Sequence, residues 1–216
     1  MSEPRKSFHR EDPDTRRDDL IAATLHLIAR SGIRSATVRA IAAEAGVTQG
    51  LIRHYFSTKE ELIAAAFERH MTQLSARSME AAAAPAPSAL YALARVIEMA
   101  LQPPSSDADT VAIWAGFLQM IQLEPQMLAV HQRAYLGYRD TLEALIARAY
   151  SEAGIETNPT HLRRMAIACN AVLDGLWIEG GLLPHCFDPG ETVQIALQSV
   201  ADILHLPELC NAGEDN

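Results

Sequence analysis

The sequence predicts an all-α protein of about nine helices, and three observations predict it. Alanine is abundant, aromatics make up 6% of the 216 residues, and β-branched runs are short, which favours helix over sheet. Apolar residues recur at three- and four-residue spacing along most of the chain. Glycine, proline and Ser/Thr/Asp residues stand between those stretches, where helices stop and start. With 49% apolar and 21% charged residues, the chain has the composition of a globular protein with a real core.

The elements follow in order. Residues 1–13 are polar with two prolines and are expected to form a mobile arm. "DTRRDDLIAATLHLIARSG" gives the first helix, 14–31, with Leu20, Ala23, Leu27 and Ile28 on one face and Gly32 as its stop. Thr37 caps a second helix over 38–44, with Ala40 and Ile41 inward. Gly46 supplies a turn where left-handed backbone costs little. Thr48 caps a short third helix through Tyr55. Ser57 or Thr58 caps the fourth, Ser57-Thr58-Lys59-Glu60 resembling a capping box.

The fourth helix is long, 58–83, and ends before "APAPS". The junction between a small N-terminal domain (1–60) and a larger one (61–206) is placed on it, because both share it. Later helices are expected at 87–102, 107–123, 126–153, 159–183 and 189–205, parted by "QPPSSD", "LEP", "AGIETNP" and "PHCFDPG". The tail, 207–216, is polar and expected to fray.

Charge is divided unevenly. The net charge is −9 overall, with +2 on residues 1–60 and −11 on 61–216. Contact with phosphate depends on the local field, so an acidic chain can still carry a nucleic-acid segment. Cys169, Cys186 and Cys210 are an odd number, widely spaced, without a CxxC pair. That argues for a reducing compartment and no disulfide framework. The N-terminus lacks the apolar stretch of a signal peptide, and no apolar run approaches the ~18 residues of a membrane span. A cytoplasmic protein without membrane partner or cofactor is expected.

The segment "TVRAIAAEAGVTQGLIRHYFSTKEELI" carries the strongest signal. It has two short helices joined by a brief glycine turn, as a helix-turn-helix requires. On the third helix Val47, Leu51 and Ile52 can face the core, leaving Thr48, Gln49, Gly50 and Arg53 outward. Gln can pair with adenine, Arg with guanine, and a Thr methyl can touch thymine. Gly50 permits close backbone approach. Thr37, Tyr55 and Lys59 stand at element ends, where hydroxyl, ammonium and free helix N–H groups suit phosphate. The competing reading is an ordinary helix turn with solvated arginines. The ordered "HYF" end and the Ser/Thr-Lys-Glu helix start weigh against it.

With those features together, residues 14–70 resemble the TetR family of transcriptional repressors, through the "AA…L…GI…ATVRAIAAEAGVTQGLIRHYFSTKEELI" string. The resemblance implies three helices in a DNA-binding domain and about six in a ligand-binding and dimerisation domain. It places Thr37, Thr48, Gln49, Tyr55 and Lys59 at positions that commonly touch DNA, with Arg39 and Arg53 at variable positions bearing on operator choice. "IRHYF", "IWAGFLQMIQLEP", "RAYLGYRDTL" and "AVLDGLWIEGGL" are similar to the choline-responsive BetI type. The partners then implied are a double-stranded DNA operator, a small-molecule effector and a second copy of the chain.

For the effector, Trp114, Phe117, Met120 and Met127 cluster on the sixth helix and the next start, Tyr135 and Tyr138 on the seventh, Asp174 and Trp177 on the eighth. Aromatic faces with one carboxylate suit a quaternary ammonium ion. The same spacing also describes an ordinary core, and Asp174 can equally cap or pair with an arginine. His131 is read as a core or surface histidine.

Met165, Ala168, Val172, Leu176 and Leu183, then Val193, Leu197, Val200 and Leu204, form wide apolar stripes on helices eight and nine. They either close the monomer core or pair with a twin, as the resemblance implies. A dimer fixes two half-sites about 34–36 Å apart. No G-x-S-x-G, P-loop, G-x-G-x-x-G or HExxH occurs, and "HCFD" at 185–188 reads as a loop. No catalytic or metal-ligating set is expected.

Overall fold

The computed structural model describes residues 13–212. They form α1 (Pro13–Ser31), α2 (Val38–Glu44), α3 (Gln49–Tyr55), α4 (Lys59–Ala83), α5 (Ala89–Leu101), α6 (Ala108–Leu123), α7 (Pro125–Glu152), α8 (Pro159–Leu182) and α9 (Glu191–Leu204). Single 3-10 turns occupy Ile33–Ser35, Pro184–Cys186 and Pro207–Asn211, and the described residues contain no strand. The all-α expectation therefore holds. The arm expected at 1–13 falls outside the described residues except for Pro13, which already opens α1. The chain divides into two compact units between Ala66 and Phe67, inside α4, later than the 60/61 boundary read from sequence.

In the first unit local chemistry sets each boundary. Thr37 Oγ1 accepts from Ala40 N at 3.2 Å and Thr48 Oγ1 from Leu51 N at 3.3 Å, capping α2 and α3. Between them α2 ends in a Schellman motif: Val47 N donates to Ala42 O at 2.9 Å and Gly46 N to Ala43 O at 3.3 Å. Gly46 sits at φ +64°, where a side chain would be strained. This turn aims α3. The box at the start of α4 is shifted by one residue from the expected one. Thr58 Oγ1 accepts from Glu61 N at 3.1 Å, and Glu61 Oε2 from Ser57 N at 2.7 Å. Glu61 reaches back where Glu60 cannot, because the cap is Thr58 and the reciprocal carboxylate belongs three residues on.

Leu20, Ile21, Leu27 and Ile28 of α1, Ile41 of α2, Ile52 of α3, Phe56, and Leu62 and Ile63 of α4 are buried in this unit. Arg17 lies over the Phe56 ring at 5.1 Å. Glu44 joins α2 to α1 through His26 Nδ1 at 2.7 Å and Arg30 Nη2 at 3.0 Å, and these bonds hold its carboxyl below the usual range.

The second unit is a bundle in which α8 packs against α7, α9, α6 and α5. Its core includes Leu93 and Ile97 of α5, Leu142 and Ile146 of α7, Cys169 and Leu173 of α8 and Val200 of α9. Arg95 closes the C-terminus of α4, donating to the carbonyls of Ala81, Ala84 and Pro85 at 2.6–3.1 Å. Glu152 Oε2 accepts from Ala89 N at 2.8 Å, tying α5 to the end of α7. Gly181 lies against Val111, and a Cβ there would collide with the valine side chain, so glycine sets how closely α6 approaches α8.

Two expectations change. Val193, Leu197, Val200 and Leu204, placed on a dimer face, are all buried within the chain's own core, because α9 has one wide apolar stripe and α5 and α8 occupy it. The tail does not simply fray: Leu209 is fully buried and Pro207–Asn211 packs against α9 and α5. Separately, an 18-residue window of α8 has a mean hydropathy of 1.2, which passes for a membrane-crossing helix by length and composition alone. Asp174 and Glu179 interrupt that stretch, so no unbroken apolar run of membrane length occurs, as the sequence indicates.

His70 supplies a measurable consequence. It is 5% exposed on α4, its Nε2 has no hydrogen-bond partner, and burial lowers its pKa from 6.5 to about 4 against the pull of Asp107. Between those values the unfolded chain binds a proton that the folded chain refuses. Stability from this residue is therefore complete above pH 6.5 and is lost as pH falls toward 4, by about 3 kcal/mol. Urea unfolding at pH 7 and 4.5 should show this drop in the wild type, and His70→Leu should remove that part of it.

Candidate functional site

Two separate sets of residues are candidates, one in each unit. On α3 the buried Ile52 and half-buried Leu51 hold the inner face, while Thr48, Gln49, Gly50, Arg53 and His54 are exposed. Gln49, Gly50 and Arg53 thus share one solvent face at i, i+1 and i+4. Arg39 on α2 and Thr37 before it are exposed too, and Tyr55 and Lys59 are half-buried at element ends. Tyr55 is held edge-on by His54 at 5.1 Å. The hydroxyl oxygens of Thr37 and Thr48 are used as caps, which leaves each O–H free to donate outward. A Cβ built on Gly50 meets only Thr48 Oγ1, at 3.8 Å. Nothing inside the chain therefore requires glycine there.

The second set surrounds a cavity of about 380 Å³. Trp114, Tyr135, Tyr138, Asp174 and Trp177, named from sequence, all line it. Phe117 does not. It is fully buried and packs on Phe67 at 4.8 Å, because it lies on the inward face of α6. Met120, also named, is half-buried away from the lining. His131, read from sequence as a core or surface histidine, lines the cavity and stacks on Tyr135 at 5.4 Å. Asn170 and four residues of α4 (Met71, Leu74, Ser75 and Ser78) were not foreseen. A seven-residue recurrence at Met71 and Ser78, with Leu74 and Ser75 between, marks one face of α4 and was the available signal.

Asp174 organises the polar side. Its Oδ2 accepts from Tyr135 OH at 2.6 Å and from Asn170 Nδ2 at 2.8 Å, and the same Asn170 nitrogen lies 2.7 Å from Tyr135 OH. Burial raises the Asp174 pKa, and the Tyr135 and Asn170 bonds and His131 oppose that rise. Burial also pushes Tyr135 up to about 12 and moves Tyr138 higher still, so both phenols are neutral donors. His131 is shifted down by burial against the attraction of Asp174. Asn170 Oδ1, Tyr138 OH and His131 Nδ1 are buried without a protein partner. Trp114 and Trp177 meet edge to face at 5.4 Å, and Trp177 Nε1 donates to Ser105 O at 2.7 Å, which turns its ring into cavity wall. Aromatic rings and a carboxylate in an apolar hollow attract a desolvated cation.

Residues 20–66 match the family model for bacterial regulatory proteins of the tetR family, and residues 89–205 match that for the C-terminal part of BetI-type transcriptional repressors. The chain is similar to the HTH-type transcriptional regulator BetI of Burkholderia thailandensis, 28% identical over 90% of this chain and 95% of that one. The corresponding regulator of Paraburkholderia phytofirmans is 27% identical over 85% and 90%. A transcriptional regulator structure from Pseudomonas aeruginosa PAO1 is 30% identical with a TM-score of 0.82, over 93% of this chain and 95% of that one. A regulator from Saccharomonospora viridis, solved in complex with choline, shares the fold at 22% identity and a TM-score of 0.71, over 89% and 96%.

Gly50→Ala separates structure from recognition. The chain has room for the methyl, and alanine gains about 0.5–1 kcal/mol over glycine in a helix. The variant should melt no lower than wild type while losing tenfold or more in operator affinity by fluorescence anisotropy. Unchanged affinity would remove Gly50 from the contact surface.

Proposed function

This chain belongs to the TetR family of bacterial transcriptional regulators, with a C-terminal region of the BetI repressor type, and from that premise we propose that it acts as a dimeric repressor released by a cationic effector. The reading is of a cytoplasmic regulator, not an enzyme. Each subunit lays α3 in a major groove of a palindromic operator. Gln49 and Arg53 read base edges, Gly50 allows close approach, and Thr37, Arg39, Thr48, Tyr55 and Lys59 hold backbone or flanking positions. The exposed face of α3 supports this role.

The second copy docks on α8 and α9. Since the α9 stripe is internal, the proposed surface shifts to residues still accessible: Met165, Ala168, Val172 and Leu176 are half-buried, and Leu182, Leu183 and Ile195 are exposed at 57%, 48% and 39%. Ala171 and Gly175 on the same helix are exposed and small enough to let a partner helix approach. An isologous pairing of this face gives the two-fold symmetry a palindrome needs.

The observation that carries the effector reading is Asp174, withdrawn from water among Trp114, Tyr135, Tyr138, His131 and Trp177 in one cavity. A quaternary ammonium ion supplies the missing positive charge without requiring a hydrogen bond, and the choline complex of the Saccharomonospora viridis regulator supports that class. Binding shifts the protein between conformations that differ in operator affinity, by no more than the effector's preference for one of them. The helix α4 is continuous through both units and is the proposed lever.

Anisotropy with the upstream DNA and a scrambled duplex tests both halves. Selective binding weakened by choline is expected, and equal weak binding to both duplexes would refute operator recognition. Arg53→Ala should lose about 1–3 kcal/mol and relax base preference, whereas Lys59→Ala should weaken all sequences alike and lower the salt slope by about one.

Calorimetry tests the cage. A bound cation favours ionised Asp174 and neutral His131. Both groups then make affinity rise with pH through the acidic range and level off once Asp174 is ionised and His131 neutral in the free protein. Asp174→Asn should cost about 2–3 kcal/mol of cation affinity and flatten the Asp174 contribution to the pH profile. Wild-type affinity in Asp174→Asn would sink the assignment.

A further inference from the structure

We infer that the cavity is shaped for a cationic amphiphile larger than choline, with an ammonium head at Asp174 and a hydrocarbon body filling the remaining space. The inference rests on the cation reading above and concerns what else the ligand carries. Choline has seven heavy atoms. Even at about 30 Å³ each, the share a water molecule takes in the liquid, they occupy about 210 Å³. The cavity holds about 380 Å³. Close to half of it is therefore surplus to a choline-sized ion.

The nature of the surplus wall decides what fills it. The polar lining groups are concentrated on α7 and α8: His131, Tyr135, Tyr138, Asn170 and Asp174. The lining from α4 and α5 is of another kind. Met71, Leu74 and Ala100 are apolar; of the two serines, Ser75 turns its hydroxyl back to Met71 O at 3.0 Å, which leaves little of it for a ligand, and Ser78 adds one hydroxyl to this otherwise apolar wall. Leu173 and Ile178 of α8 add to the apolar share. A hollow walled this way holds water poorly and takes hydrocarbon well, since water needs two to four polar partners. One ligand that satisfies both walls has its charge at one end and its alkyl body at the other. The unpartnered Asn170 Oδ1 is an acceptor close to Asp174, because Asn170 Nδ2 is committed to the carboxylate. It favours a cation over an anionic head.

Calorimetry with the full-length protein and a chain-length series provides the test. The probes are choline, then butyl-, hexyl- and octyltrimethylammonium below their micelle-forming concentrations, beside uncharged alcohols of matching length. Affinity should climb about fourfold per added methylene until the cavity is full. Octyltrimethylammonium should bind at least a hundredfold tighter than choline and at least tenfold tighter than octanol. Leu74→Trp should cut octyltrimethylammonium affinity at least tenfold more than it cuts choline affinity, and Ala100→Leu should act in the same direction by a gentler intrusion.

A flat series, with choline as tight as the octyl compound in all three proteins, would overturn the amphiphile while leaving the cation site standing. Alcohols that bind as tightly as the ammonium ions would overturn the cation site itself. The two failures are thus distinguishable in one set of titrations.

Discussion

A half-buried carboxylate is the constraint around which the cavity of the second unit is arranged. Partial burial disfavours the charge of Asp174 and raises its pKa. Tyr135 and Asn170 meet its Oδ2 with two donors, and those donors come from α7 and α8 at fixed positions. Tyr135 donates to Asp174 and lies within reach of the Asn170 nitrogen, so one triangle ties the two helices in register. On that wall Asn170 Oδ1, Tyr138 OH and His131 Nδ1 have no protein partner. Helices packed tightly enough to leave orphaned groups beside a hollow gain nothing in stability from them, so such groups point to a ligand.

The first unit depends on nothing so distant. Its key angle, between α2 and α3, follows from hydrogen bonds spanning at most five residues and from one glycine in the left-handed region. Apolar contacts then fix α1 against α2. The unit is thus written locally, whereas the cavity is assembled from residues as far apart as Met71 and Ile178.

That contrast explains what could be read from sequence. All nine helices were found to within about two residues, because Thr37, Thr48, Ser88, Asp107 and Asn158 are real caps and the glycine and proline breakers stand where helices end. The cavity was half legible. Trp114 and Phe117 are three residues apart on α6, and periodicity puts both on a helix face without saying which borders a hollow and which meets Phe67. Met71 and Leu74 were invisible because α4 was read only as a connection between domains. The α9 stripe was correctly apolar, but amphipathicity does not say whether its partner is the same chain or another. Leu209 lies in a polar tail, and a single leucine there carries no period at all.

The division of charge now acquires a chemical sense. Residues 61–216 carry a net −11, a field that favours small cations and disfavours DNA, while the first unit keeps a local positive balance for phosphate. At physiological salt such fields fade over about 8 Å, so they bias what approaches each unit without linking the two. One positive charge from an effector changes −11 to −10, too little to drive DNA away by charge alone. Release must then come from a change in conformation. The ligand contributes to that change only through contacts it makes in one state and not the other. A small head group held at Asp174 among Trp114, Tyr135, Tyr138 and Trp177 meets α6, α7 and α8. An alkyl body that reaches Met71 and Leu74 also touches α4, the helix whose first turns belong to the DNA-binding unit. Under the proposed mechanism the part of the ligand that fills the apolar wall is therefore the part best placed to couple occupancy to operator release.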